Sequence, residues 1–149
     1  TMTYNEYWQV IDAGIPEDEL VVFKYEDQGV ATLEDGLYVL EESLADEAFV
    51  DKMARFVAAS MKGWAYTKEN PEEAAQIVLD NDATGAQTEK HQVRMVGEIA
   101  KLLGDDAALD EEAYTRTVET LMGGGSDPVI TKEPEGAFTH AVTDKAAEM

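Results

Sequence analysis

Apolar residues recur at three- and four-residue spacing along most of the chain, and that spacing predicts helices. The longest stripe, Val50, Met53, Val57, Met61, Trp64 and Ala65, predicts a helix over 46–67 with this face in the core. Asn70-Pro71-Glu72-Glu73 then restarts the chain. Asn70 is placed to cap, Pro71 fits the first helical turn, and Glu73 stands three residues after the cap, so a helix over 71–79 follows. Val93, Val96, Ile99, Ala100 and Leu103 form the next stripe, with Gly104 as its expected C-cap, and Asp110 opens a further helix running through Met122. At the start of the chain, Thr3-Tyr4-Asn5-Glu6 has the S/T-x-x-E form of a capping box. It predicts a helix to Ala13, stopped by Gly14 in the left-handed position and by Pro16.

Two short runs break the helical period. Leu20-Val21-Val22-Phe23 and Leu37-Tyr38-Val39-Leu40 are continuous, apolar and rich in β-branched or aromatic residues, and each reads as a strand. The first ends in the polar turn Tyr25-Glu26-Asp27-Gln28-Gly29, and the second follows the turn signal Asp35-Gly36. The expected class is therefore α/β, but helix-rich and lopsided. A stable sheet needs three strands or a helix to pack on, so part of the sheet is expected from a second copy of the chain or from a longer protein. Gly123-Gly124-Gly125-Ser126 reads as a loop, Pro128-Val129-Ile130-Thr131 as extended, and 137–147 as irregular or one last helix.

Composition narrows the function classes. The 149 residues include 32 Asp+Glu against 11 Lys+Arg, a formal charge of −21, which excludes a nucleic-acid binder acting through a basic face. At 44% hydrophobic the chain has enough apolar residues for a core, and one globular unit is expected. Cysteine is absent, which excludes thiol chemistry and disulfides. No segment approaches the ~18 consecutive apolar residues of a membrane span, so no membrane insertion is expected. The residues Thr1 to Glu6 have neither the basic nor the apolar region of a signal peptide. The carboxylates are spread along the whole chain, as on a solvated surface.

The usual catalytic and phosphate-binding signatures are missing, and the triple glycine lacks the lysine and hydroxyl residue of a phosphate loop. His91, in a polar helix start, and His140, in the tail, read as surface residues rather than a metal pair. No metal, cofactor or catalytic residue is expected, and the chain is read as not an enzyme. The cluster Tyr4-Asn5-Glu6-Tyr7-Trp8 is different, because it sets a carboxylate, an amide and three rings at one helix start. Glu6 can pair with a protonated amine and the rings can stack on a flat heterocycle. Tyr25-Glu26-Asp27 is a second polar aromatic group, just past an expected strand, where ligands sit in α/β sheets. The candidate ligand-binding residues are Tyr4, Asn5, Glu6, Tyr25 and Asp27.

Taken as a series, Tyr4 to Trp8, Gly14-Ile15-Pro16, Val21 to Asp27, Lys62-Gly63-Trp64-Ala65-Tyr66 and Glu69 to Ala75 resemble the carboxyl-terminal half of ABC-transporter periplasmic solute-binding proteins. The resemblance is to the group that binds thiamine-pyrimidine precursors, aliphatic sulfonates or nitrate, and the closing 127–131 and 136–140 are similar to its tails. It implies the helix-rich portion of a type II periplasmic-binding-protein fold, lacking the N-terminal lobe. Residues 1–24 would then end the second lobe, 25–40 form the hinge region and returning strand, and 41–149 pack as helices on the first lobe. The implied partners are a small-molecule solute, with an aminopyrimidine favoured over an anion beside Glu6, and a permease subunit. The implied place is the periplasm, with a signal peptide upstream. A different reading is a self-associating helical α/β interaction domain, in which the isolated chain forms a homodimer and binds no small molecule.

Overall fold

The computed structural model describes residues 1–149 and contains six α-helices and no β-strand. α1 spans Glu6–Asp12, α2 Glu47–Glu69, α3 Pro71–Asp80, α4 Glu89–Ala100, α5 Glu111–Met122 and α6 Ala141–Ala147. Short 3-10 turns lie at Glu17–Glu19, Glu26–Gln28 and Glu41–Ala45. The chain divides into two compact units, the first made of Thr1–Val21 with Ala59–Asp106 and the second of Val22–Ala58 with Ala107–Met149.

In the first unit, α1 starts later than the capping box predicts. Asn5 flanks the helix with no side-chain cap, and Glu6 Oε2 accepts the Met2 N–H at 2.8 Å instead of that of Thr3. The stop is as expected. Gly14 takes φ +96°, the Gly14 N–H reaches the Ile11 carbonyl at 3.0 Å and the Ile15 N–H reaches that of Val10 at 3.4 Å, the paired bonds of a Schellman ending. Asn70 does not cap α3. Its Nδ2 donates to the Tyr66 carbonyl at 3.0 Å, and so closes α2, while Pro71 begins α3 without needing an N–H. Ala74 and Ala75 are buried with Val96 of α4, and their small side chains let the two helices approach closely. Thr88 caps α4 by accepting the His91 N–H at 3.3 Å. That helix ends at Ala100 rather than at Gly104, and the Leu103 carbonyl beyond it accepts Lys68 Nζ at 2.9 Å.

In the second unit, Asp110 caps α5 by accepting the N–H groups of Glu112 and Ala113, each at 2.9 Å. Ala113 and Val118 of α5, Val142 of α6 and the Ala54 and Val57 of α2 are buried. Tyr114 meets Phe138 edge-on at 4.7 Å, and Phe138 meets His140 at 5.5 Å. His140 is therefore half-buried rather than a surface residue, with Nε2 3.0 Å from Glu111 Oε1. Lys145 of α6 pairs with Asp51 of α2. Past the glycine loop, the Val129 N–H returns to the Leu121 carbonyl at 3.0 Å, so residues 128–131 fold back on the end of α5 instead of standing as a strand.

The expected α/β class is corrected at both apolar runs. A strand is held by a ladder of hydrogen bonds to a neighbour, and neither run has one. Val21, Phe23 and Tyr38 are 80%, 76% and 82% exposed. Between the runs, α5 side chains take up backbone groups that a sheet would use: Arg116 Nε donates to the Ala31 carbonyl at 3.0 Å, and the Leu33 N–H donates to Thr117 Oγ1 at 2.8 Å. The long stripe of α2 is corrected in its second half, where Trp64 and Ala65 are exposed while Val57 is buried. No buried hydrophobic side chain in the chain is larger than valine.

Because Asp110 satisfies two free N–H groups of α5, Asp110→Ala is expected to lower unfolding stability by about 1 kcal/mol. Urea unfolding followed by circular dichroism checks this, and an unchanged midpoint would show that α5 does not depend on its cap.

Candidate functional site

The site grows from the way α1 is held on α4 within the first unit. Asp12, the last residue of α1, accepts from Lys90 Nζ at 2.7 Å and from Arg94 Nη1 at 2.9 Å. Those two cations hold its carboxyl below the ordinary carboxylate range, Lys90 first and Arg94 second. Arg94 also lies over the Trp8 ring, 4.7 Å from the centroid, and Trp8 meets Tyr7 edge-on at 5.0 Å. At the other end of α1, Asn5 Oδ1 receives Gln9 Nε2 at 3.1 Å and His91 Nε2 at 2.9 Å. A carbonyl oxygen only accepts, so His91 presents Nε2–H. Spacing of three residues puts His91 and Arg94 on one face of α4. The expectation of a surface His91 is thereby corrected: its ring is buried against α1 and spent on Asn5.

With α1 held in this way, a cleft of about 590 Å³ opens between α1, α3, α4 and the turn after α3. A volume of this size suits a small molecule. Its apolar wall is Ile77, Val78 and Met95, and its polar lining is Asn5, Gln9, Asn81, Asp82, Gln87 and Gln92. Asp82 fixes the turn. One of its oxygens accepts the Thr84 N–H at 2.8 Å and the Thr84 hydroxyl, and the other accepts the Gln87 N–H at 2.8 Å. These bonds, that from the Thr84 hydroxyl foremost, draw its carboxyl down from 3.8 to about 2. Gln87 Oε1 then accepts Gln92 Nε2, so a chain of bonds runs from Asp82 through Gln87 to Gln92.

Of the residues that the sequence singles out, Asn5 lines this cleft. Tyr4 is half-buried and is not among the lining residues. Glu6 lies exposed on the first turn of α1, with its carboxyl lowered by the Met2 N–H. Tyr25 and Asp27 belong to the second unit, on the exposed 3-10 turn Glu26–Gln28, and Gly29 closes that turn at φ +72°. The structure thus brings Asn5 together with amides that the sequence did not flag, Asn81, Gln87 and Gln92. They follow no motif, and Gln92 in a polar helix start gives no sign that it is buried. No group of three or more His, Asp or Glu residues is arranged to hold a metal ion. A shallower hollow at Glu69–Glu73 carries three carboxylates, one of which, Glu73, hydrogen-bonds the Tyr66 hydroxyl and raises its pKa.

Residues 1–74 match the family described as NMT1/THI5 like. That stretch is similar to this family, the one that Tyr4 to Trp8 and Lys62 to Ala74 resemble, and it contains all five candidate residues. No curated protein and no solved structure matches the chain. Except for Asn5 and Gln9, the lining of the cleft lies beyond residue 74.

Asp82 supplies a pH test of the turn. Its folded pKa is depressed, so its contribution to stability is present above the unfolded value of 3.8 and is lost as pH falls toward about 2. Thermal unfolding of the parent chain and of Asp82→Asn should differ above pH 4, with the parent more stable, and converge near pH 2. A gap that stays constant across this range would contradict the role given to the carboxylate.

Proposed function

We propose that the chain acts as the solute-binding component of an ABC importer, taking up a small molecule and delivering it to a permease. The observation that carries this reading is the family match over residues 1–74. In this reading residues 1–24 end a second lobe, 25–40 form the hinge region and 41–149 pack on a first lobe, in the type II binding-protein fold. Its work is closure rather than chemistry: the ligand stabilises the closed form by the contacts it gains there. The unpaired, exposed apolar runs at 20–23 and 37–40 are where such a fold would supply neighbouring strands, since an exposed apolar segment is a docking liability unless covered. The periplasm is the compartment the family implies, and no helix is long and apolar enough to cross a membrane.

Tyr4 and Tyr25 are assigned to stacking or lining, Asn5 and Glu6 to polar contact, and Asp27 to accepting a hydrogen bond. Glu6 favours a cationic heterocycle such as an aminopyrimidine over nitrate or a sulfonate. Its carboxyl is ionised at neutral pH, as an exposed glutamate is, and an anion beside it would be repelled.

Native mass spectrometry of the purified chain is expected to show one discrete small-molecule adduct that leaves on denaturation. Glu6→Gln should weaken binding of a cationic aminopyrimidine while the unfolding midpoint barely moves, because this exposed side chain holds only the N-terminal turn. A bare dimer in the spectrum, with no adduct, would favour the self-associating interaction domain instead.

A further inference from the structure

Residues 34–40 of the second unit are anchored on either side and free between. Before them, Arg116 and Thr117 of α5 bond Ala31 and Leu33. After them, the 3-10 turn Glu41–Ala45 begins, and the Ser43 N–H reaches the Leu40 carbonyl at 3.0 Å. From Glu34 to Leu40 no backbone N–H has a partner, and no proline removes a donor. Leu40 is extended, at φ −70° and ψ 137°. Leu37, Tyr38 and Leu40 are exposed, as are Tyr25, Val30 and Leu33 on the way to them. Free backbone groups beside exposed apolar side chains are what strand addition uses, the backbone for affinity and the side chains for specificity.

Charge decides what can add there. No Lys or Arg lies between Lys24 and Lys52, the longest such interval in the chain. Within it carboxylates come in pairs, Glu26-Asp27, Glu34-Asp35 and Glu41-Glu42, and none of these is in an ion pair. The last two pairs bracket the apolar run 37–40, each within two residues of its end. Arg116 is the cation that reaches this stretch from α5, with its Nε on the Ala31 carbonyl. A second copy of the chain would set the same carboxylates against these, and like charges opposite one another destabilise a strand pair. A strand flanked by lysine or arginine gains from them instead.

We propose that residues 34–40 dock an extended segment of a different protein, one whose apolar residues are flanked by lysine or arginine and which pairs with the free backbone as an added strand. The surface is made by the second unit alone. It does not rest on the receptor reading, whose test turns on a bound solute and on Glu6, and it differs from that reading in giving 37–40 a neighbour from another protein.

The test titrates the isotope-labelled full chain with three short synthetic peptides, following the backbone N–H signals by NMR. In the first, valine and tyrosine alternate with threonine and two lysines stand at each end. The second replaces the lysines by glutamate, and the third keeps the lysines but replaces the middle by glycine and serine. The first peptide should give saturable shifts centred on residues 34–40, weakening as salt is raised, and both others should bind at least roughly tenfold more weakly. Tyr38→Ser, at an exposed position, should leave the melting temperature unchanged and weaken the first peptide about tenfold. The proposal is overturned if the first peptide leaves 34–40 unshifted or shifts acidic positions along the whole chain alike, if either other peptide binds as well, or if a folded Tyr38→Ser binds undiminished. Sedimentation of the free chain as a dimer whose 34–40 N–H groups are protected from exchange would also overturn it, by showing that a second copy covers the segment. The comparison of peptides uses the parent chain and holds whatever the variant does.

Discussion

The seating of α1 on α4 depends on one electrostatic arrangement, Asp12 held between Lys90 and Arg94. Each of the first two charges is poorly placed on its own helix. Asp12 ends α1, where the helix dipole disfavours an anion, and Lys90 lies in the first turn of α4, where it disfavours a cation. They are favourable only toward each other, so the pairing specifies which ends of α1 and α4 meet. Arg94 is the more shielded arm: its side chain is less exposed than that of Lys90, and its guanidinium also lies on Trp8. At seven residues, α1 is well short of the roughly 12–15 at which an isolated helix becomes even marginal. Its persistence rests on these tertiary contacts and on the Asn5–His91 bond at its other end.

From that pairing the cleft follows. α4 is shared between two neighbours: His91, Lys90 and Arg94 meet α1, and Val96 packs with Ala74 and Ala75 of α3. The turn between α3 and α4 is drawn in by the ionised Asp82, and it carries Gln87 to Gln92. What remains between these elements is lined by amides, three apolar side chains and one carboxylate, that of Asp82, on a chain whose formal charge is −21.

Helices were legible where local chemistry decides them. Gly14 stops α1, Pro71 starts α3 and Asp110 caps α5, because each acts through its own backbone neighbours and needs no distant partner. The α2 stripe fixed the helix, yet it overstated the core, since periodicity reports an apolar face without reporting whether anything covers Trp64. The two strand readings failed for a related reason: β-branched runs such as Leu20–Phe23 become strands only beside another strand. Within the site, Asn5 was legible from its company of rings and carboxylate. His91 and Gln92 were not: His91 is met by Asn5 from more than eighty residues earlier in the chain, and Gln92 is held by Gln87 of the turn before its helix. The family resemblance reached further than any single motif, because it drew on a series of short segments, and the match over residues 1–74 covers most of them.

The cleft exists only if α1 lies against α4, so the most direct measurement is of proximity between these two helices in solution. Isotope-edited nuclear Overhauser spectra of the full chain should show cross-peaks from the Trp8 ring to the Arg94 side chain and from the Asn5 side-chain amide to the His91 ring. Strong intrahelical cross-peaks in α4 without either of these contacts would mean that α1 is not seated there, and the cleft would lose its frame.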